Sequence, residues 1–398
     1  MRSTRSTTSA ASYLALALSL PGLLSSPASA QAISSVSSLT SQWNLDAANF
    51  SFDMPTETLN SDQAQSWIRK NWDLAAKIDW GGSNIVFSPD PSTTSNTLVR
   101  RASSSRTSSA TASSTQPVTS PASTNLAGQP PVLRIEYPQG SYSKRTGGTQ
   151  FYAAPLNSTS SGQGQVQGNS TTDGQYERML LAYDVWFPSG FAWTQGGKLP
   201  GLRGGPDIHG CSGGNETDGT TCFSTRLMWR PSGAGEVYAY IPTTQSNFCS
   251  QSQVTCNSDF GTSLARGSFT FATGQWQTIY LLVVLNSDGV ANGVVQLYYN
   301  GALAMSFNNL VIRKSQNLAS IGGMFFSTFF GGDDATWATP TTQYTYFRNF
   351  QLYAGYGASN GTGSSITAKG AAGRLEAGRG VVISLVLALA IGMLGMVM

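Results

Sequence analysis

The stretch Ser224-Thr225-Arg226-Leu227-Met228-Trp229-Arg230-Pro231-Ser232-Gly233-Ala234-Gly235-Glu236-Val237-Tyr238-Ala239-Tyr240 alternates side-chain type on both sides of a Pro-Ser-Gly break. Successive residues of a strand point to opposite faces. Ser224, Arg226, Met228 and Arg230 therefore share one face, and Thr225, Leu227 and Trp229 the other. Beyond the break, Glu236, Tyr238 and Tyr240 lie together, opposite Val237, Ala239 and Ile241. Pairing Arg230 with Glu236 across a Pro231 to Gly235 turn would set Arg226 opposite Tyr240 and Met228 opposite Tyr238. The stretch reads as an antiparallel hairpin with Ser, Arg and two Tyr gathered on one face.

The same alternation recurs at Leu133 to Tyr137, Leu180 to Phe187, Gly267 to Phe271 and Trp276 to Leu285. It continues at Val294 to Tyr299, Ala302 to Phe307, Gly323 to Phe330 and Tyr344 to Tyr353. Turn residues separate these runs, and Asn300-Gly301 suits a two-residue hairpin turn that needs positive φ at both centres. Many short strands without a long helical period predict an all-β, antiparallel β-sandwich of the jelly-roll kind over residues 130–356.

Upstream, residues 31–91 form an N-terminal segment. In it, Ile68, Trp72 and Leu74 near helical spacing predict a short helix from Ser61 to Lys77, with Ser61 as N-cap. Residues 92–123 are mostly Ser, Thr, Ala and Pro and cannot offset their ordering entropy, so a flexible linker is expected there. Arg100-Arg101 within it reads as two solvated arginines or as a dibasic processing point.

Both ends read as addresses. A basic start, a short apolar run and Ala28-Ser29-Ala30 predict a secretory signal over residues 1–30. Residues 357–380 form a spacer with small residues, and residues 381–398 an apolar tail with no basic residue beyond it. That pattern predicts a GPI anchor, with a single transmembrane helix as the alternative. Asn49, Asn157, Asn169, Asn215 and Asn360 sit in glycosylation sequons. A secreted, cell-surface glycoprotein is expected, and a monomer.

The four cysteines allow three pairings; two local loops, Cys211 with Cys222 and Cys249 with Cys256, are favoured over a zinc site, because the only histidine is His209. No metal or cofactor is implied. A net charge of +3 with 11% charged residues gives no field for nucleic acid.

The hairpin face carries the chemistry. Tyrosine offers a ring for a sugar and a phenol for proton transfer, and arginine grips a carboxylate with two parallel hydrogen bonds. Just upstream, Lys198 sits in the run Gly196 to Gly205, whose glycines would let the backbone pass close to a ligand. An acidic polysaccharide is the implied partner.

These residues resemble polysaccharide lyase family 14. The resemblance rests on Trp186-Phe187-Pro188, Gly197 to Leu202, Cys222 to Arg230 and Gly235 to Tyr240. Phe325 to Gly332 and the aromatic strand Tyr344 to Tyr353 extend it, so that it covers about Leu133 to Tyr353. With the terminal addresses, the chain looks like a secreted, GPI-anchored, fungal-type member. The family resemblance implies a jelly roll that cleaves a uronic-acid polymer, of the alginate or glucuronan type, by β-elimination. Residue by residue it implies Lys198, Tyr238 and Tyr240 as catalytic groups and Ser224 and Arg226 as substrate-binding ones.

In such a reaction Arg226, with Ser224, would hold the carboxylate. Lys198 is favoured as base and Tyr238 or Tyr240 as acid. His209, the one imidazole, reads as an exposed loop residue or a proton-transfer group at the cleft; Arg230 and Glu236 complete the candidates. Two rivals stand beside this reading. A glycoside hydrolase would need a carboxyl pair from Glu177, Asp184, Asp207 and Glu236, and a non-catalytic surface protein would use the aromatic face only to bind glycans.

Overall fold

Residues 34–74, 78–93, 129–143, 147–156, 175–207 and 209–366 are described in the computed structural model of the chain. The expected signal, nearly all of the linker with Arg100-Arg101, Asn157, Asn169, part of the spacer and the apolar tail lie outside the described residues.

In chain order the elements begin with α1 (Val36–Trp43), β1 (Ala48–Ser51), α2 (Ser61–Asn71), β2 (Ile85–Ser88) and β3 (Val132–Tyr137). Next come β4 (Thr149–Ala153), β5 (Arg178–Trp186), β6 (Gly197–Gly204), β7 (Phe223–Trp229) and β8 (Ala234–Tyr240). They continue with β9 (Val254–Thr255), β10 (Thr262–Thr270), β11 (Trp276–Val284), β12 (Val290–Ala291) and β13 (Gly293–Tyr299). The last are β14 (Ala302–Leu310), β15 (Ile321–Phe330), β16 (Gln343–Gly355) and β17 (Ser364–Ser365).

The strands form the expected antiparallel β-sandwich. One sheet runs β14-β13-β11-β5-β16-β3-β2 with β1 also on β16; the other runs β4-β15-β6-β7-β8-β10-β9. Alternate residues of both sheets meet in one core, which takes Tyr183, Val185 and Leu281 from the first and Leu199, Leu227, Trp229 and Val237 from the second. Trp229 is fully buried, with its ring against Tyr137, Phe187, Phe191 and Phe330. Each such side chain contributes about 1.5–3 kcal/mol by leaving water. The alternation that buries Leu227 and Trp229 turns Arg226 and Met228 to the sheet's other face.

Asn300 and Gly301 adopt φ of 51° and 80° between the paired Tyr299 and Ala302, as the two-residue turn requires. Both local disulfides are present, Cys211–Cys222 and Cys249–Cys256.

Several expectations are corrected. The hairpin is tighter than read: Arg230 N–H donates to Ala234 O at 2.7 Å, and Ser232 and Gly233 turn the chain with φ of 60° and 80°. A three-residue turn slides the register, so Arg226 pairs with Tyr238, Met228 with Glu236 and Ser224 with Tyr240. The run around Lys198 is a central strand, β6. The helix starts behind Asn60, whose side chain accepts from Gln63 N–H while Gln63 reaches back to the Asn60 amide. It stops at Asn71; Trp72 drops into the core, and Leu74 bridges to Ala153 as extended chain. Residues 31–91 also supply β1 and β2 to the first sheet.

The sequon residues Asn49, Asn215 and Asn360 are exposed. Among the described residues, no helix is long and apolar enough to cross a membrane.

Candidate active site

Backbone register sets three rows of side chains on the face of β6, β7 and β8 turned away from the core. The first row is Phe329, Lys198, Met228, Glu236 on β15, β6, β7 and β8. The second is Arg226, Tyr238, Ser263 on β7, β8 and β10. The third is Arg203, Ser224, Tyr240. Loops close over these rows and leave a cleft of ≈ 350 Å³ lined by Lys198, Arg226, Met228, Tyr238 and Tyr240, among others.

Lys198 is almost fully buried. Its Nζ lies 3.6 Å from the centroid of the Tyr238 ring and donates to Met228 Sδ at 2.6 Å. A thioether is a weak acceptor, so the ammonium form is poorly solvated there. Burial first, then the charges of Arg226 and Arg230, hold this amine well below the ordinary lysine range, and Glu236 only partly opposes them.

Tyr238 is shifted the other way. Burial and the neighbouring Tyr240 push its phenol up, against Arg226 and the Gly261 N–H, which donates to Tyr238 Oη at 2.9 Å. Gly214 N–H donates to Tyr240 Oη at 3.0 Å. The two tyrosine rings meet edge to face at 5.7 Å, so each fixes the other's orientation.

Arg226 is 2% exposed and forms no ion pair among the described residues. Nη1 donates to Ser327 Oγ at 3.1 Å, the guanidinium lies 4.4 Å from the Phe325 ring centroid, and Nε has no partner. Burial lowers its pKa somewhat, but a guanidinium stays charged in proteins. A buried cation on a cleft wall with no carboxylate paired to it is a site prepared for an anion.

The other candidates divide. Ser224 Oγ donates to Cys211 O at 2.6 Å, beneath the cleft, and so holds the disulfide loop that presents Gly214 to Tyr240. His209 is exposed and not among the lining residues. Arg230 lines the cleft and clamps Glu236 Oε1 through Nε at 2.9 Å and Nη2 at 2.6 Å. Burial would raise the Glu236 pKa, yet Arg230, Ser263 and Arg266 together bring it below the usual value.

Ser263 and Arg266 were not legible as site residues. Ser263 Oγ donates to Glu236 Oε2 at 2.6 Å and Arg266 Nε to the same oxygen at 2.7 Å. The register of β10 on β8 identifies Ser263, and the bulge that follows it identifies Arg266.

The glycines around Lys198 serve the sheet and not a ligand, contrary to expectation. A Cβ on Gly201 would lie 1.9 Å from Thr225 O and 2.6 Å from Arg226 Cα, and one on Gly197 would enter the Trp229 ring. Their absence of side chains lets β6 approach β7 where Lys198 and Arg226 must converge.

The carboxyl groups are scattered. Glu177 pairs with Arg313, Asp184 with Arg348 on the first sheet, and Asp207 accepts from the His209 and Gly210 amides. Asp333 is the one carboxylate among the described lining residues, where a hydrolase needs two. Among the described residues, no group of three or more His, Cys, Asp or Glu is placed to hold a metal ion.

The family model described as Polysaccharide lyase 14 matches residues 126–350. Among solved structures, the chain is similar to the marine family 14 alginate lyase from Aplysia kurodai, with 38% identity, 57% of this chain and 85% of that chain covered, and a TM-score of 0.49. It also resembles a variant of alginate lyase Aly36B in complex with alginate trisaccharide, at 17% identity, 77% and 98% coverage and a TM-score of 0.50, a likeness of fold. An endo-β-1,4-glucuronan lyase from the fungus Trichoderma reesei matches at 11% identity, 56% and 82% coverage and a TM-score of 0.35. No curated protein matches the chain.

Proposed function

Because the chain belongs to polysaccharide lyase family 14, we propose that it cleaves a uronic-acid polysaccharide, of the alginate or glucuronan type, by β-elimination in the cleft around Lys198. The observation that carries this reading is the buried Arg226, without an acidic partner, converging on the same cleft as an amine of depressed pKa and a phenol of raised pKa.

Elimination across C4 and C5 has three requirements. The carboxylate must be neutralised, so that charge leaving C5 can spread onto it; Arg226 supplies fixed positive charge there at no reorganisation cost. A base must take the C5 proton, and Lys198 is available because its neutral form persists to lower pH than a free lysine's. An acid must protonate the departing glycosidic oxygen, and Tyr238 keeps its proton because its pKa is raised. In this account the C5–H electron pair becomes the C4–C5 double bond as the C4–O bond breaks; the proton lost to Lys198 is balanced by the one Tyr238 gives. Tyr240 and the Gly214 and Gly261 amides orient the phenols.

We further propose a secreted glycoprotein, which the exposed sequons and the two disulfides support, attached to the cell surface as a monomer. Proton NMR of products from alginate and from glucuronan tests the chemistry: an olefinic H4 signal on the new non-reducing ends is expected. Saturated ends would indicate hydrolysis, and an unaltered polymer a binding protein.

A further inference from the structure

β10 departs from β8 beside the cleft. Leu264 pairs with Val237 and Phe269 with Gly235, so residues 265–268 stand against the single residue Glu236. Ala265 and Gly267 take φ of 51° and 80° on either side of Arg266, and the Ala265 amide is tied to Gln253 O at 2.7 Å. A left-handed alanine costs about 1–2 kcal/mol, and bulges typically re-aim a side chain.

This bulge delivers Arg266 to the cleft wall. The guanidinium is anchored at one atom: Nε donates to Glu236 Oε2 at 2.7 Å and lies 3.3 Å from Ser263 Oγ. Its two Nη atoms have no hydrogen-bond partner among the described residues, and the side chain is 45% exposed. Arg230, 14% exposed, has by contrast spent Nε and Nη2 on Glu236. Glu236 is thus one negative charge between two guanidiniums, and a positive excess remains beside Arg226.

We propose that Arg266 is a second carboxylate-binding residue, its Nη pair taking the carboxylate of a sugar neighbouring the one held by Arg226. The cleft would then select polymers that are acidic at more than one consecutive sugar. The inference rests on the lyase reading and adds a specificity determinant to it.

The test is calorimetric binding of tetramannuronate and tetraglucuronate, and of their carboxyl-reduced counterparts, to the Lys198→Ala protein with and without Arg266→Gln. Loss of a charge-assisted bidentate contact should weaken binding of the acidic tetrasaccharide about tenfold or more and leave the reduced one unchanged. Arg266→Lys keeps a cation on Glu236, so it should fold as the parent does and recover only part of the affinity. In otherwise unaltered enzyme, Arg266→Gln should raise KM by a similar factor with kcat within about twofold. Unchanged acidic binding in either Arg266 variant, or equal losses for acidic and reduced sugars, overturns the proposal. If neither tetrauronate binds while Arg266 is intact, the lyase reading itself fails and the subsite falls with it.

Discussion

Lys198 and Tyr238 are stacked, the amine 3.6 Å from the centre of the phenol ring. Register places them on diagonal positions of β6 and β8, with Met228 of β7 between them. The pair is displaced in opposite senses, the lysine toward its neutral form and the tyrosine toward its protonated one. A base and an acid that coexist near neutral pH are what an elimination needs.

Lys198→Met should lower kcat by about 10²–10⁴, the usual share of a general base, and stabilise the fold at neutral pH. The folded-state pKa of Lys198 lies below the ordinary value of about 10.4, so the unfolded chain binds the extra proton in the window between the two. Wild-type stability therefore rises with pH through that window, and the penalty is full below it. The melting-temperature advantage of the variant should shrink as the pH approaches 10.4. An advantage that does not vary with pH would show that Lys198 is not titrating as described.

For the wild-type enzyme, kcat/KM should climb with pH until the depressed Lys198 pKa is passed. Steady-state kinetics across neutral and alkaline pH should place this limb below the free lysine range; a limb at the ordinary value would remove Lys198 as base.

Tyr238→Phe takes away the proposed acid and the acceptor of the buried Gly261 N–H. A loss of about 10²–10⁴ in kcat and of about 1–3 kcal/mol in stability is expected, measured by turnover and by urea unfolding. Turnover within a few fold of wild type would move the acid role to Tyr240.

Ser224→Ala separates two roles for one hydroxyl. Since Ser224 holds the Cys211 carbonyl, its loss should lower kcat through the loop that positions Tyr240, with KM within about twofold. A dominant rise in KM would return Ser224 to direct carboxylate binding.

Gly201→Ala should damage the site through the backbone alone. The new methyl meets Thr225 O and Arg226 Cα, neither of which is a flexible side-chain end, so β6 and β7 must separate. Activity should collapse together with melting temperature, by a few kcal/mol or more for overpacking of this kind.

Alternation made the sandwich legible, because burial on one face of a strand forces a period of two. It placed Arg226, Tyr238 and Tyr240 on one face. It did not give the partner of each, since the register depends on Ser232 taking a left-handed conformation that its residue type does not announce. Arg266 stayed hidden for a related reason: the bulge at residues 265–268 breaks the alternation at the place where it re-aims a side chain. The glycine-rich run around Lys198 resembles a loop in composition, yet its small residues allow close strand packing. Glu236, read only as the cross-strand partner of Arg230, is buried among three donors that come together only when β10 docks.

The most direct measurement follows ultraviolet absorbance while the purified protein acts on alginate and on glucuronan at neutral and alkaline pH, beside the Lys198→Met protein. The account predicts a rise, from the unsaturated uronate, on at least one polymer with wild type and none above background with the variant. No rise on either polymer, or an equal rise with both proteins, would contradict it.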